Sequence, residues 1–156
     1  MNDAIQIAAE LLSDKPIAIY SSPYRRARQT IEPLAILAGI SIVTIDDLRE
    51  RLPSPRLVDD YRAHMRRAWL DFDYALACGE SSREAQRRAM RVLDQLRASH
   101  STGVVVLASH GNLIALALNA LAPQVDHDFW NTTPLPAVYR LRFARGRWWA
   151  EGPGLQ

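Results

Sequence analysis

The sequence predicts an α/β fold with a largely parallel sheet. Short apolar runs rich in β-branched residues alternate with amphipathic helical stretches, the pattern of strands joined by helical crossovers. The length, 156 residues, is that of one domain. Residues 1–156 show no repeat, low-complexity tract or linker that would divide them. Two runs near the end, 138–143 and 148–150, are joined by a turn at Arg145-Gly146 and require at least one antiparallel strand.

The elements follow in order. Ile5, Ala8, Leu11 and Leu12 share one face of a helix over 4–12. Lys15-Pro16 breaks it, and 17–20 is a short buried strand closed by Pro23. A helix over 25–38 buries Ile31, Leu34, Ala35 and Ala38, with Pro33 as a kink and Gly39 as its stop. Residues 42–45 form the next strand. The stretch 46–56, ending in Pro53-Ser54-Pro55, is irregular; 57–70 is helical and 71–79 a surface loop. Ser81 and Glu84 form a capping box for a helix to about Ala98, burying Ala85, Ala89, Val92, Leu93 and Leu96. A strand over 104–108 leads into a helix over 112–121 that is apolar on most sides.

Composition excludes several classes. A 48% hydrophobic content supports a packed core and argues against disorder. No apolar run is long enough to span a bilayer, and the beginning lacks the pattern of a signal peptide. The single cysteine, Cys78, fits a reducing cytoplasm. Net charge is +2, too mild to imply nucleic acid, and the arginines of 62–97 are interspersed with acids on solvated helix faces. There is no Gly-x-Ser-x-Gly elbow and no histidine or cysteine spacing for a metal, so neither a serine hydrolase nor a metal or other cofactor is expected.

Two motifs end predicted strands: Ser21-Ser22-Pro23-Tyr24-Arg25-Arg26-Ala27-Arg28-Gln29-Thr30 and Ser109-His110-Gly111-Asn112. Ligands of open α/β sheets bind beyond the carboxyl ends of the strands. Arg25, Arg26 and Arg28 stand in the first turn of a helix, where the dipole disfavours cations; a bound anion would relieve the conflict. His110, Gly111 and Asn112 open another helix, where backbone N–H groups can approach an anion. An arginine cluster and a histidine suit a phosphate ester.

These residues resemble the histidine phosphatase superfamily, also called phosphoglycerate mutase-like. The matches are Ser21, Ser22, Pro23, Arg26, Ala27, Gln29 and Thr30; Leu48-Arg49-Glu50; Gly79-Glu80-Ser81; and Ser109-His110-Gly111, in family order over nearly the whole chain. The resemblance implies a three-layer α/β/α fold with a mostly parallel, mixed sheet. It implies metal-independent phosphomonoester hydrolysis through a phosphohistidine. Arg26 would bind the phosphoryl group, with Arg25 and Arg28 outside the site. His110 would stabilise that group's charge, Gly111 and Asn112 would contact phosphate, and Glu50 would protonate the leaving oxygen. Glu80 and Ser81 read as loop and cap residues.

The family's first strand ends in Arg-His-Gly, whose histidine is the nucleophile; that motif is absent here. His64, His100 and His127 read as surface residues. The chain therefore reads as one that starts late, with its first strand missing and this form inactive. By the resemblance that strand lies inside the sheet, beside the His110 strand. Unsatisfied buried backbone groups cost about 1–3 kcal/mol each, against about 5–15 kcal/mol for a whole domain.

The partner expected is a phosphorylated small molecule or inorganic phosphate, not nucleic acid or membrane; oligomeric state is open, a homodimer included. Alternatives are a non-catalytic phosphate- or phosphoprotein-binding module and a phosphoglycerate mutase, the latter disfavoured by the short chain. Residues 53–77 are expected to cover the pocket, with Trp69, Phe72 and Tyr74 mainly packing, and Trp130, Trp148 and Trp149 in core or interface. On this reading the isolated chain is poorly stable or rearranged at its sheet. A sharp cooperative melt of the monomer well above room temperature contradicts that expectation.

Overall fold

The computed structural model describes residues 2–155. The chain forms two compact units, one up to Arg49 together with Arg91–His110, the other Glu50–Met90 together with Gly111 onward.

The first unit is built on a three-stranded sheet. It contains α1 (Asn2–Leu12), β1 (Pro16–Ser21), α2 (Arg25–Ala38), β2 (Ile42–Thr44), a single 3-10 turn at Asp46–Leu48, and a strand over Val104–Ala108, here β3. Sheet order is β2-β1-β3, with both pairings parallel and Ile19 opposite Ile42 and Val106. Parallel strands need crossovers, and the helices supply them. Ala8 and Leu11 of α1, Ala27, Ile31 and Leu34 of α2, and Ile19 and Val106 of the sheet are buried.

Helix α2 keeps its predicted ends and runs through Pro33 to Ala38. Its stop is a Schellman motif: Ile40 N–H reaches the Ala35 carbonyl at 3.0 Å and Gly39 N–H the Ile36 carbonyl at 3.3 Å. Gly39 has φ 67° and open space where a Cβ would stand, so backbone conformation alone selects glycine.

The second unit contains α3 (Tyr61–Leu70), α5 (Gly111–Leu121), α6 (His127–Thr132) and the antiparallel pair β4 (Arg140–Ala144) and β5 (Arg147–Glu151). The intervening helix α4 (Ser82–Ser99) contributes its residues through Met90 here and the remainder to the first unit. Its core gathers Trp69, Ala85, Ala89, Leu113, Ala115, Leu116, Leu118 and Val125. The predicted capping box is present: Ser81 N–H donates to Glu84 Oε2 at 2.8 Å and Glu84 N–H to Ser81 Oγ at 3.1 Å. Those two Ser81 donors, backbone first and hydroxyl second, hold the Glu84 carboxyl below its ordinary value.

Three expectations are corrected. The helix predicted over 57–70 begins at Tyr61, because Asp60 turns the backbone with φ 47° and caps Ala63 N–H at 3.2 Å. The short helix α6 was not anticipated; Asp126, read only as part of an acidic segment, caps it through Phe129 N–H at 2.9 Å. The α/β, largely parallel reading holds, but the three-stranded sheet is wholly parallel and the antiparallel strands pair with each other as a separate two-stranded sheet.

Two substitutions check these local arguments. Gly39→Ala should cost about 1 kcal/mol in urea unfolding through its left-handed backbone alone. Ser81→Ala should cost about 1 kcal/mol near neutral pH. Because the Glu84 pKa is lowered on folding, its contribution is full above the ordinary carboxylate range and is lost as pH falls through the lowered value. The cost of Glu84→Ala should therefore shrink in acid, and an equal cost at neutral and acid pH would contradict the capping account.

Candidate active site

In the first unit the ladder between β1 and β3 extends past Ser21. Ser22 N–H donates to the Ala108 carbonyl at 2.8 Å, fixing the chain just before α2 against the chain just before His110. Ser21 and Ser22 are fully buried, and His110 is 5% exposed. Arg26 Nε lies 3.0 Å from His110 Nδ1. A guanidinium nitrogen can only donate, so Nδ1 is the acceptor and the ring proton sits on Nε2. That Nε2–H faces Ser22 Oγ at 2.8 Å, an oxygen that also accepts from Tyr24 N–H at 3.2 Å. The Tyr24 ring meets the His110 ring edge-on at 5.2 Å, and the Arg26 guanidinium carbon stands 5.2 Å from the Tyr24 ring centre. All three arginines are exposed, and of them Arg26 reaches His110. Helix α2 has no acidic residue in its first turn, and Tyr24 gives it no side-chain cap.

In the second unit Glu50 is half-buried, not a solvated loop carboxylate. Its Oε1 accepts from Arg51 N–H at 3.0 Å and Leu113 N–H at 3.1 Å, and Oε2 takes Asn112 N–H at 3.4 Å. The carboxylate thus caps α5, where the dipole favours negative charge. Arg51 is 4% exposed and donates to Asn112 Oδ1 and the Glu80 carbonyl. Burial pushes its guanidinium below the ordinary value, against the pull of Tyr61, Glu50 and Glu80. Gly79 lets this segment close up: a Cβ there would run into the Pro53 carbonyl oxygen, and Glu80 N–H donates to the Leu52 carbonyl.

The match to known families covers residues 2–154, and the family is the histidine phosphatase superfamily (branch 1). The chain belongs to that superfamily. A protein of Hydrogenobacter thermophilus named "Putative phosphoserine phosphatase 2" is 29% identical over 118 residues, 70% of this chain. The chain spans 58% of that relative's length. A mycobacterial glucosyl-3-phosphoglycerate phosphatase solved with inorganic phosphate is 24% identical with TM-score 0.77, over 96% of this chain and 82% of that one. A phosphoserine phosphatase mutant of Entamoeba histolytica, solved with phosphoserine, is 18% identical with TM-score 0.77, over 98% and 81%. The last two are likenesses of fold.

Two arginines of this superfamily member are placed otherwise than the sequence suggested: Arg51 was not singled out, and Arg88, read with its neighbours as part of a solvated helix face, is 3% exposed because Glu80 pairs with it. Arg51 and Arg88 are buried arginines; Arg88 forms a two-pronged pair with Glu80 at 2.6 and 2.9 Å. Glu80 is therefore an ion-pair partner as well as a loop residue. Arg51 could have been singled out only as a charge beside Leu-x-Glu, since its partner Asn112 lies far away in sequence. The other histidines are half-buried rather than surface residues. His64 Nδ1 pairs with Tyr74 OH, His100 Nε2 with Tyr20 OH and His127 Nδ1 with Asp128. Trp69 packs in the core against Phe72 and Trp130, as expected of a packing residue.

Nitrogen NMR of the unliganded chain should show His110 neutral, with the proton on Nε2. A proton on Nδ1 would rule out the bond from Arg26.

Proposed function

We propose that this chain is the phosphate-binding body of a phosphomonoester hydrolase of the histidine phosphatase type, working through a phosphohistidine. The observation that carries the reading is the bond from Arg26 Nε to His110 Nδ1, held beside buried Ser22. A fixed cation and an imidazole at a helix start are what a transferred phosphoryl group needs, because its charge spreads over its oxygens. In this reading Arg26 leaves His110 Nδ1 to bind the phosphoryl group, the freed Nδ1 takes a proton from solvent and donates it to that group, and Gly111 and Asn112 contact its oxygens. Glu50 protonates the leaving oxygen, exchanging its cap on α5 for that role. The family match across both units supports taking residues 1–156 as one domain. Relatives named for phosphoserine and glucosyl-3-phosphoglycerate support a phosphorylated small molecule as substrate. No helix among the described residues is long and apolar enough to cross a membrane. A cytoplasmic setting belongs to the same reading and rests on the single cysteine.

His110 is not the nucleophile in this reading, since Arg26 and Ser22 engage both of its ring nitrogens. That same engagement favours a second reading, a non-catalytic phosphate- or phosphoprotein-binding module. Both readings have the 156-residue form bind phosphate without turnover.

The test is hydrolysis of a chromogenic phosphate ester without added metal, beside calorimetric titration with phosphate and vanadate. The expected result is binding without turnover, weakened about tenfold or more by Arg26→Ala. Turnover abolished by His110→Ala would place the nucleophile within this chain and overturn the assignment. Absence of both binding and turnover would overturn the phosphate reading itself.

A further inference from the structure

The outward face of the β4–β5 pair carries a cluster that the proposed chemistry does not use. Leu141 and Ala150 lie opposite each other and pack against the core of the second unit, so the alternate pair, Arg142 and Trp149, faces away from it. Residues 142–147 are all exposed, and Trp149 is 50% exposed. The Arg147 guanidinium carbon stands over the Trp149 ring, 3.7 Å from its centre. Arg145, at the turn, is exposed with φ 52°. The acid on this face, Glu151, pairs with Arg142 at 3.2 Å, but the pair is open to solvent and therefore weak. Residues 140–151 hold four arginines and one glutamate, a net of +3, whereas the whole chain carries +2. The rest of the chain is therefore net −1, and the mild total conceals a local excess of positive charge.

We propose that this sheet face binds single-stranded nucleic acid, with Arg142, Arg145 and Arg147 meeting phosphates and a base stacked on the Trp149–Arg147 pair. The carboxylates of an acidic peptide would serve the arginines but leave the indole among them with no ring to meet. A polyanion that carries bases meets both. Stacking on an exposed aromatic ring, or on a guanidinium plane, holds unpaired bases without sequence preference. A flat sheet face suits an extended strand, and a single strand, unlike a duplex, offers the faces of its bases. A membrane fits less well, because the turn that would lead into it is Arg145-Gly146 rather than apolar. The surface lies within the second unit and does not depend on the phosphate-ester reading.

The experiment is fluorescence anisotropy of a labelled decauridylate titrated with the full chain at several salt concentrations. Affinity should fall with salt at a log–log slope of about −2, from three phosphates at about 0.7 each. Trp149→Ala should weaken binding about tenfold, and Trp149→Phe less. Arg145→Asn should weaken it severalfold and reduce the slope by about 0.7. Asparagine tolerates the left-handed backbone of that exposed turn, so this variant decides the matter if Trp149→Ala fails to fold. Absence of binding at low salt would overturn the proposal. Polyglutamate that displaces the probe as well as unlabelled decauridylate does would overturn it in favour of an acidic protein partner, and phosphatidylserine vesicles that do so would overturn it in favour of a membrane. Loss of binding in Arg26→Ala, with none in Trp149→Ala, would place the oligonucleotide on the Arg26 side chain and overturn it too.

Discussion

A parallel ladder ends both of its strands at the same edge of the sheet, and in the first unit the chemistry grows from that edge. The pairing of β1 with β3 continues one bond further, from Ser22 N–H to the Ala108 carbonyl. This bond brings the segment leading into α2 beside the segment ending at His110. Ser22 then takes the imidazole Nε2–H, and Arg26, from the first turn of α2, supplies a donor to Nδ1. Without that register neither side chain would find the other, however suitable each is alone.

The two helix starts that carry the motifs are treated differently. The start of α5 is satisfied by the Glu50 carboxylate, a negative group on a positive dipole end. The start of α2 has no acidic residue and no side-chain cap, and it carries arginines. Such an end gains from an arriving anion, whereas the end of α5 must first give up the one it holds. In the proposed function Glu50 would leave that cap to protonate the leaving oxygen.

Much of the fold was legible because its signals are local. Arg25–Ala38 and Val104–Ala108 run over the residues predicted, since a terminating glycine and an unbroken β-branched run act within a few residues. Ser81 and Glu84 likewise need only each other. The start of α3 was misplaced because a left-handed Asp60 overrides the helical pattern upstream, and α6 is too short to show a period. The site divided along the same line. Arg26 and His110 were readable from motifs, but buried Arg51 and Arg88 were not, because a buried arginine is defined by distant partners that no window of sequence contains. The tautomer of His110 also depends on contacts across the fold.

A crystal structure of the chain soaked with vanadate tests the central claim most directly. The account predicts the oxyanion within hydrogen-bond distance of the Arg26 guanidinium and the His110 imidazole, with the Arg26–His110 bond broken to receive it. An oxyanion bound elsewhere, with that bond intact, would contradict it.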